Sequence, residues 1–315
     1  ASVGISISPH DRIEVADLLR QADAAMYRVK AAGKDGYQLY TTDNSGAATR
    51  RLHLEAQLWL ALRDKQLRLC VAPVVDLATG ELRGIDASPR WPHPSEGLIA
   101  PREMLSMSED SELLVGVLRW TLRTACQQAQ ALAQAGLPAS LCVLHVPPPM
   151  LLRRELCADL RAALQESGLL PRRLVLVLQL DRHTVEVADL VALATELAQL
   201  GVLLALGGLW DAGLPLQYLQ ALPLMALRLE PWFVHRLGSD PRALGLCQGL
   251  AALAHSLGLQ IMADGVDSAA ELAAAQRLGC DLATGAAVSW SCAAASAGSS
   301  LLAGLQRDGG LLVES

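Results

Sequence analysis

The side chains best suited to chemistry in this sequence are thiols, imidazoles and carboxylates, and their spacing points away from a metal cage. Seven cysteines (Cys70, Cys126, Cys142, Cys157, Cys247, Cys280 and Cys292) are scattered, odd in number and set mostly among apolar neighbours. No CxxC pair occurs, so buried free thiols in a reducing compartment are expected, not zinc ligands or a disulfide framework. His53, His183, His235 and His255 fall on helical or loop stretches without metal spacing. Asp181 and Arg182 are adjacent and predict a surface ion pair of little energetic weight. Asp264 and Asp267 precede the helical run SAAELAAAQRL, the position of helix-capping residues.

These groups must be positioned by a regular scaffold. The chain has 315 residues, 52% of them hydrophobic and 18% charged. That is enough apolar material for a buried core and excludes a disordered chain. A net charge of -6 offers no basic face, so neither DNA nor RNA is an expected partner. The apolar stretches are interrupted by Glu196 and bounded by Glu186, Asp189, Arg242 and His255, so no membrane-spanning helix is predicted. A cytoplasmic location is expected, with any membrane anchor confined to a segment upstream of residue 1.

From residue 51 onward, strand-like and amphipathic helical stretches alternate. The strand candidates are LRLCVAP, ELRGIDASPRW, LCVLHV, RLVLVLQL, VLLALGG, MALRLE, LQIMADG and CDLATG, with a hairpin turn near ATG. Several are almost wholly apolar, as befits strands covered on both faces. Such repetition predicts a closed α/β barrel of the TIM-like (β/α)8 type, with function at the C-terminal ends of its strands. Residues 1–42 form a smaller unit of strand, helix and strand, with His10 or Asp11 opening the helix and Gly33 ending it. Residues 43–50 are polar and small and are read as a linker. Residues 51–292 form the barrel, and 293–315 an Ala/Ser/Gly-rich flexible tail with one short helix.

Two family resemblances are carried by specific motifs. SVGIS, a proline, and LLRQADAAMYRVKAAGKDGYQLY resemble the C-terminal end of a GGDEF (diguanylate cyclase-type) domain. The resemblance implies that the nucleotide-binding half lies upstream, that no cyclase activity resides here, and that the chain is a fragment of a longer protein. Residues 51–292 resemble an EAL (cyclic di-GMP phosphodiesterase-type) domain. The landmarks are APVVDLATGELRG, Arg90–Trp91, His93–Pro94, GLIAP at 97–101, LGV at 200–202, YLQALP at 218–223, AHSLGLQIMADGVDS and LGCD at 278–281.

The EAL resemblance implies hydrolysis by two divalent cations held about 3.5–4 Å apart by converging carboxylates. Matched position by position, many of those groups are replaced. Asp86 stands for the signature glutamate and His145 for an asparagine ligand. Val177 and Leu180 stand for two glutamates, and Gly207 and Gly208 for adjacent aspartates. Arg228 takes the place of the catalytic lysine, and Glu230 of the aspartate that follows. Asp264 and Asp267 stand for the glutamates of AEGVE, Thr284 for a glutamine, and Ala72 for a substrate-contacting glutamine. Arginine keeps its charge and is poorly suited to proton transfer. The triple proline at 147–149 stiffens the loop after His145.

A degenerate EAL barrel is therefore expected: a non-hydrolytic cyclic di-GMP sensor or regulatory interaction domain, with no catalytic residue and no metal cofactor. Arg90 heads the candidate nucleotide contacts, with Asp86, Arg228 and Asp264. The guanidinium of Arg90 suits a phosphate, and a local acid would suit it equally. The Gly207–Gly208 pair either offers amides to an anion or simply permits a tight turn. One alternative is a protein-interaction scaffold that no longer binds nucleotide, using Leu209 and Trp210 against an unidentified protein partner. Another is an active phosphodiesterase with altered ligation of Mg or Mn through Asp86, His145 and Asp264, aided by Asp267 or Asp211. The resemblance also allows a homodimer.

Overall fold

A computed structural model describes the chain except residues 1, 7–14, 32–35, 40–41, 108–110, 135–140, 152, 182–185, 214, 238–239, 289–310 and 314–315. His10, Asp11, Gly33, Arg182, His183 and Cys292 thus lie outside the described residues, as does the short helix expected in the tail. The chain divides into two compact units, residues 1–63 with 104–109, and residues 64–103 with 110–315.

In the first unit, strands β1 (Ser2–Ile5) and β2 (Gly36–Leu39) pair in parallel, Ser2 opposite Gly36, joined through helix α1 (Val15–Ala31). Gly4 makes this packing close, because a Cβ there would stand 1.9 Å from the Ala22 carbonyl oxygen. Two strands cannot cover such a helix fully, and Leu19, Tyr27 and Tyr37 remain exposed. Helix α2 (Thr42–Arg63) follows directly. Residues 43–50, read as a linker, are thus helical. Those residues carry no apolar periodicity, but Ala47 and Ala48 have high helix propensity, and extending an existing helix costs far less than nucleating one. One face of this helix is apolar, with Leu54, Leu58 and Ala61 buried.

The second unit is a closed eight-stranded barrel. Its wall consists of β3 (Arg68–Asp76), β4 (Leu82–His93), β6 (Leu141–Val146), β7 (Leu174–Gln179), β8 (Leu203–Gly207), β9 (Ala226–Leu229), β10 (Gln260–Asp264) and β11 (Leu282–Thr284), while β5 (Gly97–Ile99) extends the end of β4. The strands run parallel from β4 round to β11, whereas β3 is antiparallel to both its neighbours, β4 and β11. The hairpin at 76–81 explains that reversal: Asp76 accepts the amides of Ala78 and Thr79 through its side chain and that of Gly80 through its carbonyl. A connection this short can only join antiparallel strands. A twelfth strand, β12 (Leu311–Val313), also pairs antiparallel with β3.

Inward-pointing Val74, Val143, Val175, Val177, Ala205, Ala226, Met262 and Leu282 fill the barrel. Helices on the outside close the apolar outer faces of the strands. The helix Ala269–Arg277 begins with a capping box, in which Ser268 accepts the Glu271 amide and Glu271 accepts the Ser268 amide. This corrects the expectation that Asp264 and Asp267 cap this helix: Asp267 accepts the Ala286 amide, and Asp264 points elsewhere. All six described cysteines are unpaired, five of them buried, and burial pushes the thiols of Cys126, Cys247 and Cys280 up to about 12.

Candidate functional site at the barrel mouth

Strand alternation decides which side chains reach the mouth. Successive residues point to opposite faces, so the residue two places beyond each interior apolar position also faces inward. From Val143, Ala205, Ala226, Met262 and Leu282 this rule leads to His145, Gly207, Arg228, Asp264 and Thr284. On the reversed strand β3 it leads backward from Val74 to Ala72, which is paired with Asp86 on β4. The fold thus brings together most of the residues singled out above.

At the centre is a buried ion network. Arg228 is 5% exposed and donates from Nη1 to Asp86 Oδ2 at 3.0 Å and from Nη2 to Asp264 Oδ2. His145 Nε2 lies 3.4 Å from the same Asp86 oxygen. Burial favours neutral Asp86, but the Arg228 charge and then His145 outweigh it and hold the carboxyl well below the usual carboxylate range. Burial likewise works against the charge on Arg228, and Asp264 and Asp86 together reverse that, raising its pKa. One guanidinium therefore bridges two carboxylates that would otherwise repel at the mouth.

A second cluster adjoins it. Glu230, at the end of β9, accepts the Gly208 amide with Oε1, while its Oε2 is buried without a hydrogen bond. Burial pushes this carboxyl upward, the Gly208 amide opposing, and Gln179 lies beside it. Gln179 is a residue that motif matching missed. Its signal is available in the sequence, because it lies two places beyond Val177 on one strand. Val177 itself belongs to the barrel interior, and Leu180 is buried just past the end of β7.

The glycines answer to steric need. A Cβ on Gly207 would stand 2.4 Å from Gln179 Oε1 and 3.2 Å from Val177 Cγ1. Gly208 has φ +72°, and a Cβ there would lie 2.1 Å from the Leu180 carbonyl oxygen. These positions form a tight turn, with the Gly208 amide already taken by Glu230. Trp210 stacks on Phe233 with centroids 5.1 Å apart and planes 1° from parallel, and its indole nitrogen is buried. Leu209 is buried as well. The Asp211 side chain lies outside the described residues.

Arg90 is half-buried on β4 and shares a face with Asp86 and Ser88. It donates to Ser88 Oγ at 2.8 Å and to the Pro89 carbonyl at 3.0 Å, and no carboxylate among the described residues pairs with it. The local acid allowed for above is thus not seen there. Of the remaining histidines, His235 meets Glu271 at 3.0 Å and His255 meets Asp281 at 2.9 Å.

This arrangement defines an α/β-barrel domain whose polar residues gather at the C-terminal ends of the strands. The EAL domain family model matches residues 55–290. The chain belongs to the EAL domain family, the barrel domain of cyclic di-GMP signalling proteins. It is 31% identical over 285 residues to the cyclic di-GMP phosphodiesterase NbdA of Pseudomonas aeruginosa, covering 90% of this chain and 36% of that protein. It is 29% identical to the bifunctional diguanylate cyclase/cyclic di-GMP phosphodiesterase MucR of the same organism, covering 89% and 41%. The chain therefore spans about two-fifths of the length of these curated relatives. Among solved structures, the MucR phosphodiesterase in complex with cyclic di-GMP superposes with a TM-score of 0.70 at 28% identity, covering 75% of this chain and 94% of that one.

Divalent ions, which the family resemblance implies, do not fit the donor set. Asp86 and Asp264 are both bonded to Arg228, so a cation held by them would have to displace a buried guanidinium. Among the described residues, no group of three or more His, Cys, Asp or Glu side chains converges to hold a metal. No described helix is long and apolar enough to cross a membrane.

Proposed function

We propose that this chain is a non-hydrolytic cyclic di-GMP signalling module, a degenerate EAL barrel that binds the nucleotide without cutting it. The observation that carries this reading is the Asp86–Arg228–Asp264 network. In-line hydrolysis with two metal ions needs carboxylates free to hold them, and here an internal cation takes their place. Val177, Gly207 and Gly208 add no carboxylate, and Gly208 has no room for one against the Leu180 backbone. Arg90 supports nucleotide binding. Its guanidinium is held at the mouth by uncharged partners, which leaves its charge to be balanced by a phosphate. The small unit at residues 1–42 is read as the end of a GGDEF-type domain, on the strength of its motifs and its βαβ arrangement.

The stack of Trp210 on Phe233 favours a space-filling role for that residue over a partner-binding one, which weakens the scaffold alternative. Calorimetric titration with cyclic di-GMP tests the proposal, first with magnesium, then with chelator, followed by analysis of the nucleotide. Binding that survives chelation, leaves the nucleotide intact and weakens at least tenfold in Arg90→Ala is the expected result. Absence of binding would leave a protein-interaction scaffold. Linear product would overturn the reading altogether.

A further inference from the structure

The barrel wall is incomplete beside β3 at the mouth. Strand β3 has nine residues, but β11 pairs only with its last two, Leu282 opposite Asp76 and Ala283 opposite Val75. Because β3 runs backward, its other end, Arg68–Ala72, lies at the mouth, where Ala72 faces Asp86, Cys70 faces Ser88 and Arg68 faces Arg90 across β4. On the side away from β4, that end would present unpaired backbone groups, a template for any extended chain. It is filled by β12, with Leu311 opposite Val71, Leu312 opposite Cys70 and Val313 opposite Leu69. Both β11 and β12 run antiparallel to β3, so β12 continues the track that β11 leaves.

We propose that the β3 edge at Leu69–Val71 is a strand-addition site for an extended apolar segment, occupied in this chain by its own residues Leu311–Val313. Three paired residues make a short strand, held by little main-chain pairing. The strand is accordingly displaceable, and its departure opens the mouth beside Cys70 and Ala72. Main-chain pairing supplies the affinity, and alternate side-chain positions supply the selectivity for apolar residues.

Cys70 is a built-in reporter, because it is the half-buried thiol on this edge while the other described thiols are buried. Maleimide labelling of the full chain, mapped by mass spectrometry, is expected to modify Cys70 slowly. Deleting Leu311–Ser315 should speed that labelling at least tenfold, and Leu312→Pro should act in the same direction. Millimolar synthetic peptide Gly-Gly-Leu-Leu-Val-Glu-Ser should slow it again in the deletion variant. Cys126, Cys142 and Cys280 report on folding, since they react only if the barrel opens. Unchanged Cys70 labelling in a deletion variant whose buried thiols stay protected would overturn the proposal. So would acceleration that the peptide fails to reverse.

Discussion

Asp86 and Arg228 stand 142 residues apart in the chain and 3.0 Å apart at the barrel mouth. The same guanidinium reaches Asp264, so a single buried cation on β9 joins its neighbour β10 to the non-adjacent strand β4. Asp86, which is buried, relies on Arg228 first and His145 second to stay ionised, while Asp264 is partly exposed.

Removing that cation should be costly. Arg228→Ala is expected to destabilise the barrel by about 3–5 kcal/mol, the range seen when one partner of a buried pair is lost. Urea unfolding at pH 7 measures it. The triple replacement Arg228→Met, Asp86→Leu and Asp264→Leu should recover most of the loss, since no uncompensated charge then remains. A single variant that unfolds at the wild-type urea midpoint would mean the network carries no net weight.

The network also sets an acid limit. Asp86 has a folded pKa below its unfolded value of about 3.9, so its contribution is present above that value and is lost as pH falls toward the folded one. Thermal unfolding between pH 6 and pH 2 should show a steep fall below about pH 4. In Asp86→Asn the Asp86 part of that slope should vanish.

Glu230 behaves in the opposite sense. Its folded pKa is raised by burial, so its contribution is present below the unfolded value of about 4.3 and is lost as pH rises through the folded one. Glu230→Gln keeps an acceptor for the Gly208 amide without the charge. Its melting temperature should match wild type at pH 4 and exceed it at pH 8. A lower value at pH 8 would show that the ionised carboxylate is the stabilising form.

Two left-handed glycines near the mouth should differ in tolerance. Gly208 and Gly213 have φ of +72° and +64°. A methyl group added to Gly208 would stand 2.1 Å from the Leu180 carbonyl oxygen, whereas one added to Gly213 would meet open space. Gly213→Ala is expected to cost about 1–2 kcal/mol from backbone conformation alone. Gly208→Ala should cost clearly more, because the Leu180 backbone must also move. Equal losses in chemical denaturation would remove the steric argument.

Metal should not matter to stability. A site filled at a hundredfold excess over its Kd would add about 2.7 kcal/mol. Excess manganese, or EDTA, is expected to leave the melting temperature unchanged. In Arg228→Ala, where Asp86 and Asp264 lose their guanidinium beside His145, manganese should become stabilising. A manganese-induced rise in the wild type would show that a cation displaces Arg228 after all.

Much of this protein was legible from residue order alone. The apolar runs LCVLHV, RLVLVLQL and LQIMADG declare strands buried on both faces, because local alternation and length suffice for that. The motifs around Arg90, Tyr218 and Asp264 place the chain among EAL barrels, since they are short and contiguous. Tertiary structure decided the rest. Helix α2 runs through Asn44 and Ser45 because helix propagation outweighs their local preferences. Asp264 turns from a supposed helix cap into an ion-pair partner, because Ser268 already caps that helix and barrel closure sets Arg228 beside it. Gln179 joins Glu230, and β12 meets β3, only once the barrel has closed. Sequence patterns record which face a residue turns and how far a helix can extend. Which charges cancel one another depends on distances between strands far apart in the chain, and only the closed barrel sets those.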